Sequence, residues 1–282
     1  MTALYGKDIA GRIRGGLKDE ISQLTKTDRP PHLAVIIAGD DEASLYYAGL
    51  LKRAGGNDGF RVTVNHLSST DTGGMTGIIG KLNSDPETDA VLVQLPLPRN
   101  IDRKAVVGSL SPEKDADGQS PVNLGCLASG QETIAPATAR AVVKILKGND
   151  IAIAGKEAVV IGRSTTVGLP AALLLLRENA TVTACHTRTV NLKDHTARAD
   201  IVVASAGTPG LIGPDYVKPG AAVVDVGTTQ VGEDIKGDVL FEEVIGKASV
   251  SPVKGGVGAV TLACLLENTF ELYRKNLQRK RA

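Results

Sequence analysis

Two hydrophobic periodicities alternate along the chain. Residues 5–26 carry Ile9, Ile13, Leu17, Ile21 and Leu24 at helical spacing, which predicts an amphipathic helix. The run His32–Ala38 (HLAVIIA) is almost wholly apolar, as suits a strand covered on both faces of a parallel sheet. Helices are then predicted over 43–54 and 72–83, and strands over Phe60–His66 and Ala90–Gln94, the last closed by the rigid Leu-Pro-Leu-Pro. The second half repeats the rhythm. Helices are predicted at Arg140–Lys147 and Leu169–Glu178, and strands at Ala158–Ile161, Thr181–Cys185, Ile201–Ala204 and Ala221–Val226. A long helix, Val257–Asn276, closes the chain with a basic tail. Such βαβ alternation predicts an α/β architecture with mostly parallel sheets.

Length and composition narrow the picture. At 282 residues the chain exceeds one comfortable core, so two domains are expected, with a boundary near 137–150. Thirty-two Lys and Arg against 31 Asp and Glu leave a formal charge of +1, and no basic excess points to nucleic acid or a membrane surface. Trp is absent and aromatics are 3% of residues, which argues against base-stacking platforms. Cys126, Cys185 and Cys264 are far apart, odd in number and without CxxC spacing. They are expected to be reduced thiols of a cytoplasmic protein, not a disulfide frame or a zinc site, and no metal is expected. Lys7, Arg12 and Arg14 interrupt the N-terminus, which lacks an apolar signal core. No stretch reaches the roughly 20 apolar residues of a membrane span.

The sharpest local motif runs Ala158-Val-Val-Ile-Gly162-Arg163-Ser164-Thr-Thr-Val167-Gly168-Leu-Pro170. A strand ends at Gly162, a short turn follows and a helix begins. Backbone N–H groups and the helix dipole there favour an anion, so Gly162, Arg163, Ser164, Val167 and Gly168 are candidate cofactor contacts. The pattern is G-x-S-x-x-x-G-x-P, not the full GxGxxG fingerprint, and alone it also fits an ordinary glycine turn. The next strand ends in His186-Thr187-Arg188-Thr189, where a doubly wound fold meets the adenine ribose. An acidic residue there would favour NAD. Arg188, with Arg163, instead predicts NADP through its 2′-phosphate. Two solvated surface arginines are the plain alternative.

Four further stretches decide a family. They are Ala43-Ser44-Leu45-Tyr46-Tyr47, Asp89-Ala-Val-Leu-Val-Gln94-Leu-Pro96-Leu-Pro98, Pro112-Glu-Lys114-Asp115-Ala-Asp117-Gly118 with Asn123-Leu-Gly125, and Ser251-Pro252-Val-Lys254-Gly255-Gly256-Val-Gly258. Together with the cofactor turn, and across nearly the whole chain, they resemble the bifunctional methylenetetrahydrofolate dehydrogenase/cyclohydrolase (FolD) family. The resemblance implies an N-terminal α/β substrate domain and a Rossmann-type doubly wound NADP-binding domain flanking a cleft, as a homodimer. Residues 1–139 would form the folate domain, with the helix of about 258–282 packed back on it, and 140–257 the NADP domain. It also implies hydride transfer from 5,10-methylenetetrahydrofolate to NADP, then hydrolysis of the methenyl cation to 10-formyltetrahydrofolate. By matching, Tyr47 stacks on the folate, Gln94 partners a catalytic lysine and Asp117 anchors the pterin. Lys254, Gly255 and Gly256 border the folate pocket.

The chemistry suits those roles. A carboxylate accepts two N–H bonds from an amino-pyrimidine edge, an aromatic face orients a ring, and Lys with Gln manages proton and water. Considered singly, Tyr47 also fits a packed core tyrosine, and Asp117 a turn residue beside Gly118. One element is missing. The family reads S-x-x-Y-x-x-x-K, and the lysine position here is Leu51. Lys52 follows, but one step along a helix turns a side chain by about 100°. Lys254 replaces a family proline, and Gln119 replaces the Phe or Leu after Asp-Gly. The expectation is an NADP-dependent methylenetetrahydrofolate dehydrogenase whose cyclohydrolase activity is impaired unless Lys52 or Lys254 compensates. The rivals are a paralogue with altered folate chemistry in another pathway and a non-catalytic folate- or NADP-binding protein.

Overall fold

The computed structural model describes residues 1–232 and 234–281; Ala282, the end of the expected closing helix, lies outside them. The chain forms two compact units. The first comprises Arg12–Cys126, Glu132–Ile134 and Leu265–Ala282, and the second Met1–Gly11, Leu127–Gln131 and Ala135–Cys264. No described helix is long and apolar enough to cross a membrane.

In chain order the elements up to the first sheet's close are α1 (Lys7–Leu24), β1 (His32–Ala38), α2 (Glu42–Asn57), β2 (Arg61–Leu67), α3 (Thr72–Ser84), β3 (Ala90–Val93), α4 (Arg103–Ser109) and α5 (Pro121–Ala128). The strands form a parallel sheet in the order β2-β1-β3. All seven β1 residues and all four of β3 are buried, which is why both segments are continuously apolar. Met75 and Ile79 of α3 and Val106 of α4 pack on Ile36, Val91 and Val93. Aspartates start three helices: Asp41 accepts from the Ser44 N–H at 2.9 Å, Asp71 from Gly74 at 2.8 Å, and Asp102 from Lys104 at 2.8 Å. The buried Asp89 carboxylate takes two bonds from Arg29, at 2.6 and 2.7 Å, one from the His32 N–H and one from Asn276. A buried charge so fully paired is tolerated, and here it fixes the entry to β1.

The second unit contains α6 (Ala137–Gly148), β4 (Glu157–Ile161), α7 (Gly168–Arg177), β5 (Thr181–Cys185), α8 (Leu192–Thr196), β6 (Ile201–Ala204), β7 (Ala222–Asp225), β8 (Thr229–Val231), β9 (Asp234–Lys236), α9 (Phe241–Val244) and β10 (Ser249–Val250), with the start of α10 (Val257–Arg281). Its parallel sheet runs β10-β7-β6-β4-β5. β5 and β6, consecutive in sequence, lie on opposite sides of β4. That reversal is the topological switch point at which open α/β sheets bind ligands, beyond the carboxyl ends of the strands. Every residue of β6 and β7 is buried, and β5 at the edge is half-exposed. The helices α4, α5, α8 and α9 and the hairpin β8–β9 are too short to carry a periodicity, and the hydrophobic pattern does not reveal them.

Candidate active site

The switch point is built around two glycines. Gly162, just past β4, has φ +120°, and a Cβ there would lie 2.3 Å from the Ser205 carbonyl oxygen at the end of β6. A Cβ on Gly168 would lie 2.2 Å from the Gly162 carbonyl oxygen. Strand, turn and helix therefore pack backbone to backbone, and no side chain fits between them. The Ser164 hydroxyl accepts from the Val167 and Gly168 N–H groups, at 3.2 and 3.4 Å, at the start of α7. The Gly162 N–H donates to the Cys185 carbonyl at 2.9 Å, tying this turn to the end of β5. There the His186 N–H donates to the Thr189 hydroxyl at 2.9 Å, and the Arg188 N–H to His186 Nδ1 at 3.1 Å. Arg163 and Arg188 are both exposed. A cradle that a Cβ would fill, at a helix N-terminus, with one exposed arginine in the turn and another in the loop after β5, fits a phosphate-rich dinucleotide.

Beneath the cradle lies a device the motifs did not signal. The Asp238 carboxylate accepts from the N–H groups of Ala206, Gly207 and Thr208, at 2.6, 3.0 and 2.8 Å, so it holds the turn that follows β6. Asp225, at the end of β7, accepts from Gly227, Asp238 and Val239 at 2.9, 3.0 and 3.1 Å. Burial pushes the Asp225 carboxyl up to about 6, against the pull of those three N–H groups, and the neighbouring Asp238 charge adds to the rise. A Cβ on Gly237 would fall 1.9 Å from Asp225 Oδ2, which explains a glycine at that point.

The folate candidates Tyr47, Leu51, Gln94 and Asp117 all belong to the three-stranded unit. Gln94 follows β3 and Ser44 opens α2. Both approach the Leu95 carbonyl, Gln94 Nε2 at 3.0 Å and the Ser44 hydroxyl at 3.5 Å. Tyr47 is half-buried one turn along α2. Leu51, one turn further, is 0% exposed, whereas Lys52 is exposed, so the two point to different environments. The loop before Asp117 runs along β3: the Val91 N–H donates to the Lys114 carbonyl at 2.6 Å, and the Ala116 N–H to the Val91 carbonyl at 3.0 Å. Lys114 donates to the carbonyls of Leu82 and Asp85, and burial lowers its pKa. Asp115 is buried, and desolvation raises its pKa although Ser120 and Asn123 donate to it. Both residues thus brace the loop. Asp117 is half-buried beyond them and accepts from Gln119 Nε2 at 2.8 Å.

In the second unit, Lys254 and Gly255 are exposed. The Gly255 carbonyl accepts from the Gly6 N–H at 2.8 Å, and a Cβ on the buried Gly256 would sit 2.1 Å from the Pro252 carbonyl oxygen. The loop is thus held by backbone contacts, with the Lys254 side chain directed to solvent.

A doubly wound parallel sheet with this glycine turn at its switch point defines a dinucleotide-binding α/β protein. Residues 4–117 match the catalytic domain of tetrahydrofolate dehydrogenase/cyclohydrolase, and residues 136–277 match the NAD(P)-binding domain of the same enzymes. The chain belongs to the tetrahydrofolate dehydrogenase/cyclohydrolase family. The bifunctional protein FolD of Methanospirillum hungatei is 47% identical over 273 residues, 96% of this chain and 97% of that protein. FolD of Bacillus subtilis is 43% identical over 279 residues, 98% of this chain and 99% of its own. Among solved structures, the FolD methylenetetrahydrofolate dehydrogenase/cyclohydrolase of Campylobacter jejuni superimposes with a TM-score of 0.94 at 40% identity, covering 98% of this chain and 99% of that one. The Trypanosoma brucei enzyme, complexed with NADP cofactor and inhibitor, gives 0.94 at 36% identity, with 98% of each chain covered.

Proposed function

We propose that this chain oxidises 5,10-methylenetetrahydrofolate to 5,10-methenyltetrahydrofolate with NADP, and that its hydrolysis of the methenyl product to 10-formyltetrahydrofolate is weak. The observation that carries this reading is an intact dinucleotide cradle in a chain of this family whose lysine position holds the fully buried Leu51. Residues 1–139 would carry the folate chemistry, with the helix of about 258–282 packed back on them, and 140–257 would hold NADP. The break between the two family matches, from 117 to 136, supports that division.

NADP, when bound, supplies the hydride acceptor. The chain's own contribution is placement. Gly162, Ser164, Val167 and Gly168 would present backbone to the phosphates, and Arg163 and Arg188 would read the 2′-phosphate beside His186 and Thr189. Asp117 would accept the N–H groups of the pterin edge, Tyr47 would stack on the ring system, and Gln94 would offer its amide near the reacting carbon. Lys254, Gly255 and Gly256 would border the folate. Hydride transfer depends mainly on such orientation, so it survives without the lysine. Opening the methenyl cation needs a proton to be moved from water, and a leucine cannot move one. The three cysteines, none of them in a disulfide, suit a reduced, cytoplasmic setting.

Two assays on the purified protein test this: NADP reduction with methylenetetrahydrofolate, and hydrolysis of methenyltetrahydrofolate. The expected outcome is turnover in the first and little rate above background in the second. No NADP reduction would move the assignment to a paralogue with other folate chemistry or to a non-catalytic binding protein.

A further inference from the structure

By resemblance, Gln119 stands where the family carries Phe or Leu. Its side chain is 8% exposed, and Nε2 donates to Asp117 Oδ2 at 2.8 Å. Gly118 between them has φ +56°, a turn that folds the two side chains onto each other. The other end of the amide, Oε1, is buried with no hydrogen-bond partner among the described residues. A buried amide oxygen without a donor costs free energy, and leucine would fill similar volume without that cost. Turning the amide over would set Oε1 against a carboxylate, so charge fixes its orientation. Packing therefore does not account for glutamine here, and its polar contact is with Asp117.

The loop also stands without Gln119. Its backbone is tied to Val91, and Asp115 is bound by the Ser120 N–H at 2.7 Å and by Asn123 Nδ2 at 3.0 Å. None of these bonds passes through the glutamine side chain. We propose that Gln119 is a positioning residue for folate binding: its amide holds the Asp117 carboxylate in the orientation that receives the pterin edge. A carboxylate offers about four acceptor positions, so the bond from Gln119 takes one and does not by itself displace the ligand's two. Holding the carboxylate in advance removes a rotamer cost from binding. This rests on the reading of Asp117 as the folate anchor.

The test is a double-mutant cycle on the full chain, read by steady-state NADP reduction with methylenetetrahydrofolate and by Tm. Gln119→Leu is expected to raise the KM for the folate by about three- to tenfold, the worth of one side chain fixed in advance, with kcat and the KM for NADP little changed. Its Tm is expected to stay level or rise, because an unpaired buried oxygen has gone. Gln119→Glu, which sets a second negative charge against Asp117, is expected to raise the folate KM further. In an Asp117→Asn background, Gln119→Leu is expected to shift the folate KM by less than about twofold, because the coupling partner is lost. An unchanged folate KM in Gln119→Leu, or an equal loss in both backgrounds, overturns the positioning role while leaving the anchor intact. An unchanged folate KM in Asp117→Asn alone overturns the anchor reading, and the inference with it.

Discussion

At position 51 a leucine lies wholly inside the core, and at position 52 a lysine lies in solvent. The difference is one helical step, and it bears on the second half of the proposed reaction. Leu51→Lys is predicted to raise methenyltetrahydrofolate hydrolysis by about 10²–10⁴, the usual worth of general acid–base help, and to lower Tm because an ammonium enters a core position. Lys254→Ala is predicted to leave hydrolysis unaltered, since that lysine is exposed. Robust native hydrolysis that collapses in Lys254→Ala would instead show a relocated proton carrier. Cofactor choice also belongs to single residues. Neutral replacement of Arg163 and Arg188 together is predicted to weaken NADP by about 1–3 kcal/mol, with NAD little affected. Equal losses in paired NADP and NAD titrations would show that neither guanidinium reads the 2′-phosphate.

Where the chain leaves β6 and β7, Asp225 and Asp238 tie residues 206–208, 225–227 and 238–239 together by six backbone N–H bonds. The sequence shows Asp225 and Asp238 only as two aspartates 13 positions apart, with no local signal that they converge. Their glycine neighbours, Gly227 and Gly237, were the available clue: a Cβ on Gly227 would meet the Asp238 carboxylate at 2.4 Å. The arrangement predicts a pH effect. Burial raises the Asp225 pKa from an ordinary 3.8 to about 6, so the folded state holds that proton more tightly than the unfolded chain. The associated stability is fully present below about pH 4 and is lost as pH rises through about 6, amounting to roughly 3 kcal/mol. Stability of the native protein relative to Asp225→Asn, from urea melts at pH 4 to 7, is predicted to fall by about that amount. A pH-independent difference would mean that Asp225 does not titrate in this window.

At the scale of the whole molecule, β5 ends the five-stranded sheet with a half-exposed face, and the adjacent α7 leaves Leu169 43% and Leu176 57% exposed. An open strand edge beside exposed leucines is a surface that proteins ordinarily cover. A second copy of this chain, related by a two-fold axis, would cover it by pairing like with like, in keeping with the homodimer implied by resemblance. In sedimentation velocity the native protein is therefore predicted to run as a dimer, and Leu176→Asp as a monomer; a monomeric native protein would sink the two-fold pairing. A dimer that persists unchanged would put the interface elsewhere.

The hydrophobic pattern by itself determined the α/β class and the position of the long strands, because a strand buried on both faces must be apolar throughout, as in His32–Ala38 and Ile201–Ala204. The glycine motif, not the hydrophobic pattern, marked the turn at Gly162–Gly168, since its residues are contiguous in the chain. Substitution at position 51 was legible only through resemblance, because the family's S-x-x-Y-x-x-x-K pattern sets a lysine one helical turn after Tyr47. Tertiary structure alone decided what depends on residues distant in the chain. It set β6 beside β4, so that Ser205 meets Gly162, and it ran the Lys114–Ala116 segment along β3. It also turned Gln119 inward onto Asp117: only two residues separate them, but burial and a left-handed glycine, not spacing, bring that amide to the carboxylate. Local propensity acts over a few residues, whereas burial and the pairing of polar groups are satisfied only when the whole chain has closed.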